Sequence, residues 1–396
     1  YLIASYAIVS LVLALHAQTK PRARDLGIPF EGQTGPLNAI TDVAGVEVGH
    51  TTVISGDGPL KVGVGPVRTG VTAILPRGKA AADQPVYAGV FSLNGNGEMT
   101  GTAWIEESGF LEGPILLTNT HSVGVVRDAV IAWDINHTTK PGPGALWSLP
   151  VVAETYDGYL SDINGFHVKS EHVFHALDTA VSGPVSEGGV GGGTGMICYE
   201  FKGGIGTASR KLSADLGGYT TGVLVQANHG TRNQLTVAGV PVGREIGGGR
   251  RRFASNNAAA ASMGEYGSIL IIVATDAPLI PTQLKRLARR ASLGLARTGA
   301  ISGNGSGDLF LAFSTANAGA ADGTEKPNSI LTLSNDRTTP LFESVVEATE
   351  EAIINALVAG ETMTGADNHR IEGLPHDRLR EILQKYNRLG KVPGEK

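Results

Sequence analysis

The sequence predicts an α/β protein in which two stacked sheets lie between two helical layers, a four-layer αββα sandwich. Three observations carry that expectation. Short apolar runs alternate with glycine-rich turns through the first half of the chain. Later runs are apolar on consecutive residues, as strands buried on both faces must be. Amphipathic helices follow those runs and supply a covering layer.

The elements follow in order. Tyr1 to His16 (YLIASYAIVSLVLALH) carries no charge, ends in Leu-His-Ala-Gln, and is followed by Lys20, Arg22 and Arg24. It resembles the apolar stretch of a signal peptide, truncated at its start and cut near Ala17, which predicts export to a periplasm. Gly45–Thr52, Gly70–Leu75, Tyr87–Phe91 and Gly113–Leu117 read as strands, and Val123–Ile135 and Val168–Val181 have helical spacing. Thr221–Asn228, Ser268–Thr275 and Leu309–Thr315 are the doubly buried strands. Pro281 opens a helix in which Leu284, Leu287, Ala288, Ala291 and Leu295 share one stripe. Lys285, Arg286, Arg289 and Arg290 form a basic face, read as solvated. Glu343–Leu357 and His376–Leu389 are two further helices.

Composition limits the function. An apolar content of 41% supports a real core, and a formal charge of −5 gives no footprint for a nucleic-acid partner. Glycine is abundant, at 55 residues, and clusters at Asn94–Gly101, Gly183–Gly206 and Gly299–Gly307 as tight turns and close approaches. No repeat of solenoid length occurs. Cys198 is the only cysteine, so no intrachain disulfide forms. His172 and His175 are spaced as a helical metal pair, but no third ligand motif follows them. The Gly188–Gly195 run lacks the Lys-Ser/Thr of a phosphate loop. No metal or cofactor is expected.

Gly267-Ser268 is the most informative dipeptide, because it stands at the mouth of a buried strand. Self-cleavage there needs a glycine that tolerates a strained, exposed backbone and a hydroxyl able to attack the preceding carbonyl. The cut would give Ser268 a free α-amine, so one residue would carry both nucleophile and base. Taken alone, the dipeptide is better explained by a turn glycine followed by a capping serine, so the rest of the chain must decide. No linker composition surrounds it, so a cut would fall inside one domain, with residues 18–267 as an α chain and 268–396 as a β chain. Ser306 and Asp308 stand two apart in Asn-Gly-Ser-Gly-Asp, just before another buried strand, and on an extended segment project to the same side.

With GSILIIVATDAPLIPTQLKRLARRASLGLARTG, the segment GAISGNGSGDLFLAFSTAN resembles the DmpA/BapA type of self-processing N-terminal serine aminopeptidases. That family contains L-aminopeptidase D-amidase/D-esterases and β-peptidyl aminopeptidases. The likeness continues upstream, in the same order, through VVAETYDGYLSDINGFHV, GGVGGGTGMICYEFKGGIGTASRK and GVLVQANHG. It implies cleavage between Gly267 and Ser268, a fold similar to N-terminal nucleophile hydrolases with different strand connectivity, and a homotetramer of αβ units. By position it makes Ser268 the nucleophile and Ser306 a second site serine. Asp308 stands where some members carry Glu, and Tyr156 and Asn228 match two further site positions.

The chemistry these groups would perform is acyl transfer. A free α-amine titrates at about 7.7–8.0, so its neutral form can take the Oγ proton near working pH. Ser306 and Asp308 would hold that amine and tune its charge. Asn228 has an amide N–H able to serve a developing oxyanion, and Tyr156 would donate there or wall the pocket. Glu154 would meet the substrate's ammonium. A turn role for Asn228, a packing role for Tyr156 and a structural ion pair for Glu154 stay open. The expected substrates are short peptides, amides or esters with a free amino end: β-aminoacyl peptides, or L-aminoacyl and D-alanyl compounds. The alternatives are an inactive exported binding or scaffold protein on the same fold, and a related self-processing acyltransferase, which would use Thr where Ser268 stands.

Overall fold

The computed structural model describes residues 20–137, 147–248, 266–323 and 327–390, so the signal segment expected at 1–17 lies outside the described residues. The first half contributes β1 (Glu47–Ser55), β2 (Val67–Leu75), β3 (Val86–Gly95), α1 (Thr102–Ser108), β4 (Phe110–Leu111) and β5 (Ile115–Asn119). Next come α2 (Val123–His137), β6 (Val151–Thr155), α3 (Ser170–Asp178), β7 (Ile197–Cys198) and β8 (Phe201–Lys202). Then follow β9 (Gly204–Lys211), β10 (Thr220–Asn228), α4 (Val242–Ile246), β11 (Tyr266–Thr275), α5 (Pro281–Arg297) and β12 (Gly305–Ser314). The chain closes with α6 (Thr339–Val358), β13 (Met363–Thr364), β14 (Arg370–Ile371) and α7 (His376–Lys385).

Two sheets dominate. One has the order β1-β2-β5-β6, and the other β4-β3-β12-β11-β10-β9. Alternation along the strands separates three apolar layers. On β11, Ile269, Ile271 and Val273 face α5 and α6, while Leu270, Ile272 and Ala274 point between the sheets. On β2 and β5, Val71, Ala73 and Leu116 pack beneath α2 and α3, and Ile74 and Leu117 point inward. The αββα arrangement expected from the sequence is the observed one.

Differences are local. The helices expected at Val168–Val181 and His376–Leu389 are shorter, at Ser170–Asp178 and His376–Lys385, and α6 begins earlier than expected, at Thr339. The basic face of α5 is not simply solvated. Lys285 pairs with Glu106 at 2.8 Å, Arg286 and Arg290 lie over the Phe342 ring, and Arg289 lies over Phe91. Those rings offer a cation–π surface that the sequence pattern does not reveal.

Polar side chains enter the core at one end. His50 is half-buried with Nδ1 3.0 Å from the Thr72 hydroxyl, and desolvation of its ring lowers its pKa to about 4. Asp157 is buried just past β6, beside Thr69 and Asn119, but neither carboxyl oxygen reaches good hydrogen-bond geometry. Burial pushes its pKa up to about 7. The folded chain therefore keeps a proton that the unfolded chain loses near pH 4, so this group's contribution to stability falls as pH rises from about 4 to about 7. Asp157→Asn should gain stability relative to the native chain across that window, by a few kcal/mol at most. Urea midpoints at pH 5 and pH 8 measure it: the variant's advantage should be larger at pH 8.

Candidate active site

β11 is an interior strand of the six-stranded sheet, antiparallel to β10 and parallel to β12. Apolar residues on both of its faces fix the register, since a one-residue slip would exchange two different cores. That register sets Ser268 opposite Asn228 on one side and Gly307 on the other, with Gly267 opposite Ser306 and Ile269 opposite Asp308. Ser268 is only 6% exposed.

The role of Gly267 differs from the one expected. It lies within a strand, not in an exposed strained turn, and its φ is outside the left-handed region. Its requirement is steric. A Cβ there would sit 2.2 Å from the Asn228 carbonyl oxygen and 2.9 Å from His229 Cα, both backbone atoms that cannot move aside.

Ser306 and Asp308 project together. The Ser306 hydroxyl donates to Asp308 Oδ1 at 2.6 Å, and the Ile269 N–H donates to the same oxygen at 3.2 Å. Between them, the Gly307 N–H donates to Ser268 Oγ at 3.1 Å. The Asp308 carboxyl therefore sits at the backbone one residue past Ser268, while the Ser268 hydroxyl is held by β12. Burial raises the Asp308 pKa, against hydrogen bonds from Ser306, Ser302 and the Ile269 N–H. The β12–β3 pairing carries a bulge between Asp308 and Leu309, a device that re-aims side chains at the end of a ladder.

The other sheet supplies the facing wall, because β6 packs against β11. Asn228 is buried with both ends of its amide engaged: Oδ1 accepts from the Ile197 N–H, and Nδ2 donates to the Tyr156 carbonyl, each at 2.9 Å. Tyr156, just past β6, is 40% exposed and lays its hydroxyl over Gly158. Glu154 is 4% exposed. Its Oε1 accepts from the Glu98 N–H at 3.1 Å, and its Oε2 accepts from the Thr120 hydroxyl. Burial raises its pKa, opposed by those two hydrogen bonds. Gly97 ties this carboxyl to β12: a Cβ there would lie 3.4 Å from Glu154 Oε1 and 3.2 Å from Gly307 Cα.

Thus Ser268, Ser306 and Asp308 form one cluster; Asn228 adjoins it in register with Ser268, Glu154 approaches it across Gly97 and Gly307, and Tyr156 is joined through its carbonyl, which Asn228 Nδ2 holds. Sequence reasoning missed Thr120, Glu98 and Gly307. The turn-forming Asn94–Gly101 cluster hinted at the loop that brings Glu98 in, but no motif marks Thr120. The helical histidines lie elsewhere. His172 Nδ1 accepts from the Lys169 N–H, His175 Nδ1 meets the Thr51 hydroxyl, and no metal-binding group of three side chains occurs among the described residues. Cys198 is buried on β7, 3.8 Å from His229 Nδ1.

Residues 38–371 match the model of peptidase family S58. The chain belongs to that family. It is 56% identical over 392 residues to the β-peptidyl aminopeptidase BapA of Sphingosinicella microcystinivorans, covering 96% of this chain and 97% of that protein. The solved L-aminopeptidase D-Ala-esterase/amidase of Ochrobactrum anthropi, a serine aminopeptidase with a variant of the Ntn hydrolase fold, superposes with a TM-score of 0.84 at 48% identity. That match covers 94% of this chain and all of that one. A Burkholderia β-aminopeptidase matches with a TM-score of 0.81 at 50% identity, over 92% and 99% of the two chains. The expected family, fold class and serine-type aminopeptidase class are borne out.

In a Ser268→Ala background, where the junction stays intact, Gly267→Ala forces a backbone clash. Overpacking of this kind costs about 1–3 kcal/mol, so the variant should melt several degrees lower, and calorimetry of the purified protein checks it. An unchanged melting temperature would mean that the β10–β11 approach is looser than described.

Proposed function

We propose that this aminopeptidase cuts itself between Gly267 and Ser268, and that the new N-terminal Ser268 then releases N-terminal residues from short peptides, amides or esters. The observation that carries the reading is the placement of the Ser268 hydroxyl, held by the Gly307 N–H beside the Ser306–Asp308 pair. In the precursor, Ser268 Oγ attacks the Gly267 carbonyl carbon. The C–N bond breaks as the Ser268 nitrogen takes a proton, and water hydrolyses the resulting ester. The products are a Gly267 carboxylate and a free Ser268 amine and hydroxyl.

That amine is the base for turnover. In its neutral form it accepts the Oγ proton as Oγ attacks the substrate carbonyl, then returns the proton to the leaving nitrogen. Water attack on the acyl-serine repeats the sequence. A fully charged Asp308 beside the amine would favour the ammonium and disable it as a base. The burial that raises the Asp308 pKa moderates this, while the Ser306 hydroxyl, which favours the charged carboxylate, occupies one of its oxygens and so competes with the amine for it. Asn228, in register with Ser268, would turn an amide hydrogen to the oxyanion, with Tyr156 beside it. Glu154 would receive the substrate's ammonium, which restricts the enzyme to free amino ends.

β-Aminoacyl peptides and amides are the substrate class we favour, on the likeness to β-peptidyl aminopeptidases. L-aminoacyl and D-alanyl compounds come next, on the likeness to the Ochrobactrum enzyme. Export to a periplasm rests on the uncharged run at Tyr1–His16, and assembly as a homotetramer of αβ units rests on the family resemblance. Purified protein should separate on a denaturing gel into fragments of roughly 27 and 14 kDa, from domain-scale residue masses. Ser268→Ala should run as one band and turn over neither β-aminoacyl nor aminoacyl p-nitroanilides. An intact band for the native chain, with turnover retained, would refute self-processing.

A further inference from the structure

We propose that Thr120 is the positioning residue for amine recognition: its hydroxyl holds in place the Glu154 carboxylate that selects substrates with a free amino end. The inference rests on the reading that Glu154 takes the ammonium, and it adds the group on which that selectivity depends.

A carboxylate as buried as Glu154 stays ionised only if donors reach it. It has one donor per oxygen, the Glu98 N–H on Oε1 and the Thr120 hydroxyl on Oε2. Two donors on two different oxygens fix the plane of the carboxyl group as well as its charge. Glu98 acts through its backbone N–H, which no substitution at that position other than proline removes. Thr120 acts through a side chain, and so is the adjustable half.

The fold holds that side chain deliberately. β5 and β6 run parallel with Thr118 opposite Glu154 and Asn119 opposite Thr155, so the residue just past β5 lies beside Glu154. The turn Thr120–Ser122 is capped by Asn119, whose Oδ1 accepts from the His121 N–H at 3.1 Å. Asn119 Nδ2 donates to the Thr69 hydroxyl on β2 at 2.7 Å, and the buried Asp157 lies against both of them. A line of buried polar groups, Asp157, Thr69 and Asn119, thus stands behind Thr120. None of these contacts involves Ser268, Ser306 or Asp308. Loss of the Thr120 hydroxyl should therefore impair recognition of the amine and spare self-cleavage.

The test compares native enzyme with Thr120→Val, Thr120→Ala, Thr120→Ser and Glu154→Gln. The probes are a β-aminoacyl p-nitroanilide and its analogue with a hydroxyl in place of the amine; gels follow self-cleavage. Removing a hydrogen bond to a buried charged group should raise KM for the amine substrate about 10-fold or more in the Val variant. Its kcat should stay within about 2-fold, and the inhibition constant of the hydroxyl analogue against the amine substrate should be little changed. The Ser variant should restore the native KM, and Glu154→Gln should raise it at least as far as Val does. If Val fails to self-cleave, the Ala variant is read in its place. An unchanged KM in Val and Ala, with KM raised in Glu154→Gln, overturns the role of Thr120 alone. An equal loss on both probes also overturns it, because Thr120 would then be only structural. An unchanged KM in Glu154→Gln overturns the ammonium reading itself, and this inference with it.

Discussion

The structure depends on the pinning of β11 between β10 and β12. Backbone hydrogen bonds on both edges and different apolar layers on both faces leave this strand one register. Every distance at the site follows from that register. Ser268 meets Gly307 because Leu270, Ile272 and Ala274 must enter the inter-sheet core while Ile269, Ile271 and Val273 meet the helices. A nucleophile that is also a chain end needs such support, since a free terminus ordinarily frays. Here the proposed terminus lies near the start of an interior strand, paired on both edges.

The same constraint explains how two fragments would remain one protein. Residues before the junction supply β3, β9 and β10, and residues after it supply β11, β12, α5 and α6, so the six-stranded sheet is shared. Charge reinforces the join. Glu351 on α6 is fully buried between Arg24 at 2.7 Å and Arg210 at 2.8 Å, and Arg210 also reaches Glu347 at 3.2 Å. Each guanidinium belongs to the segment before Gly267, and each carboxylate to the segment after it. Burying these charges gains little net stability, but a mismatched docking would leave them unpaired at a cost of about 3–5 kcal/mol. The network favours one alignment of the two parts.

Much of this was legible in the sequence where the information is local. Consecutive apolar residues revealed β10, β11 and β12, and the apolar stripe revealed α5. Ser306 and Asp308 could be paired because two residues on one strand share a side. β9 (GIGTASRK) was missed because small and polar residues fill a strand that is buried by α6 and not by its own side chains. The reason for Gly267 was misread because the atom that excludes a Cβ, the Asn228 carbonyl oxygen, belongs to a strand about forty residues away. Thr120 and Glu98 were invisible for the same cause. They reach Glu154 only through the order of strands in the other sheet and a loop from β3. Alternation reports which face a side chain takes, and it is silent about what stands opposite.

In the mechanism proposed, cutting before Ser268 creates the base for turnover. The direct measurement is activity against the fraction cleaved, taken on aliquots of one preparation as processing proceeds, with the mass of the smaller fragment read in parallel. Activity should rise in proportion to a fragment that begins at Ser268 with an unmodified amine, and extrapolate to zero at zero cleavage. Full activity in uncleaved chain, or a fragment beginning elsewhere with the same activity, would contradict it.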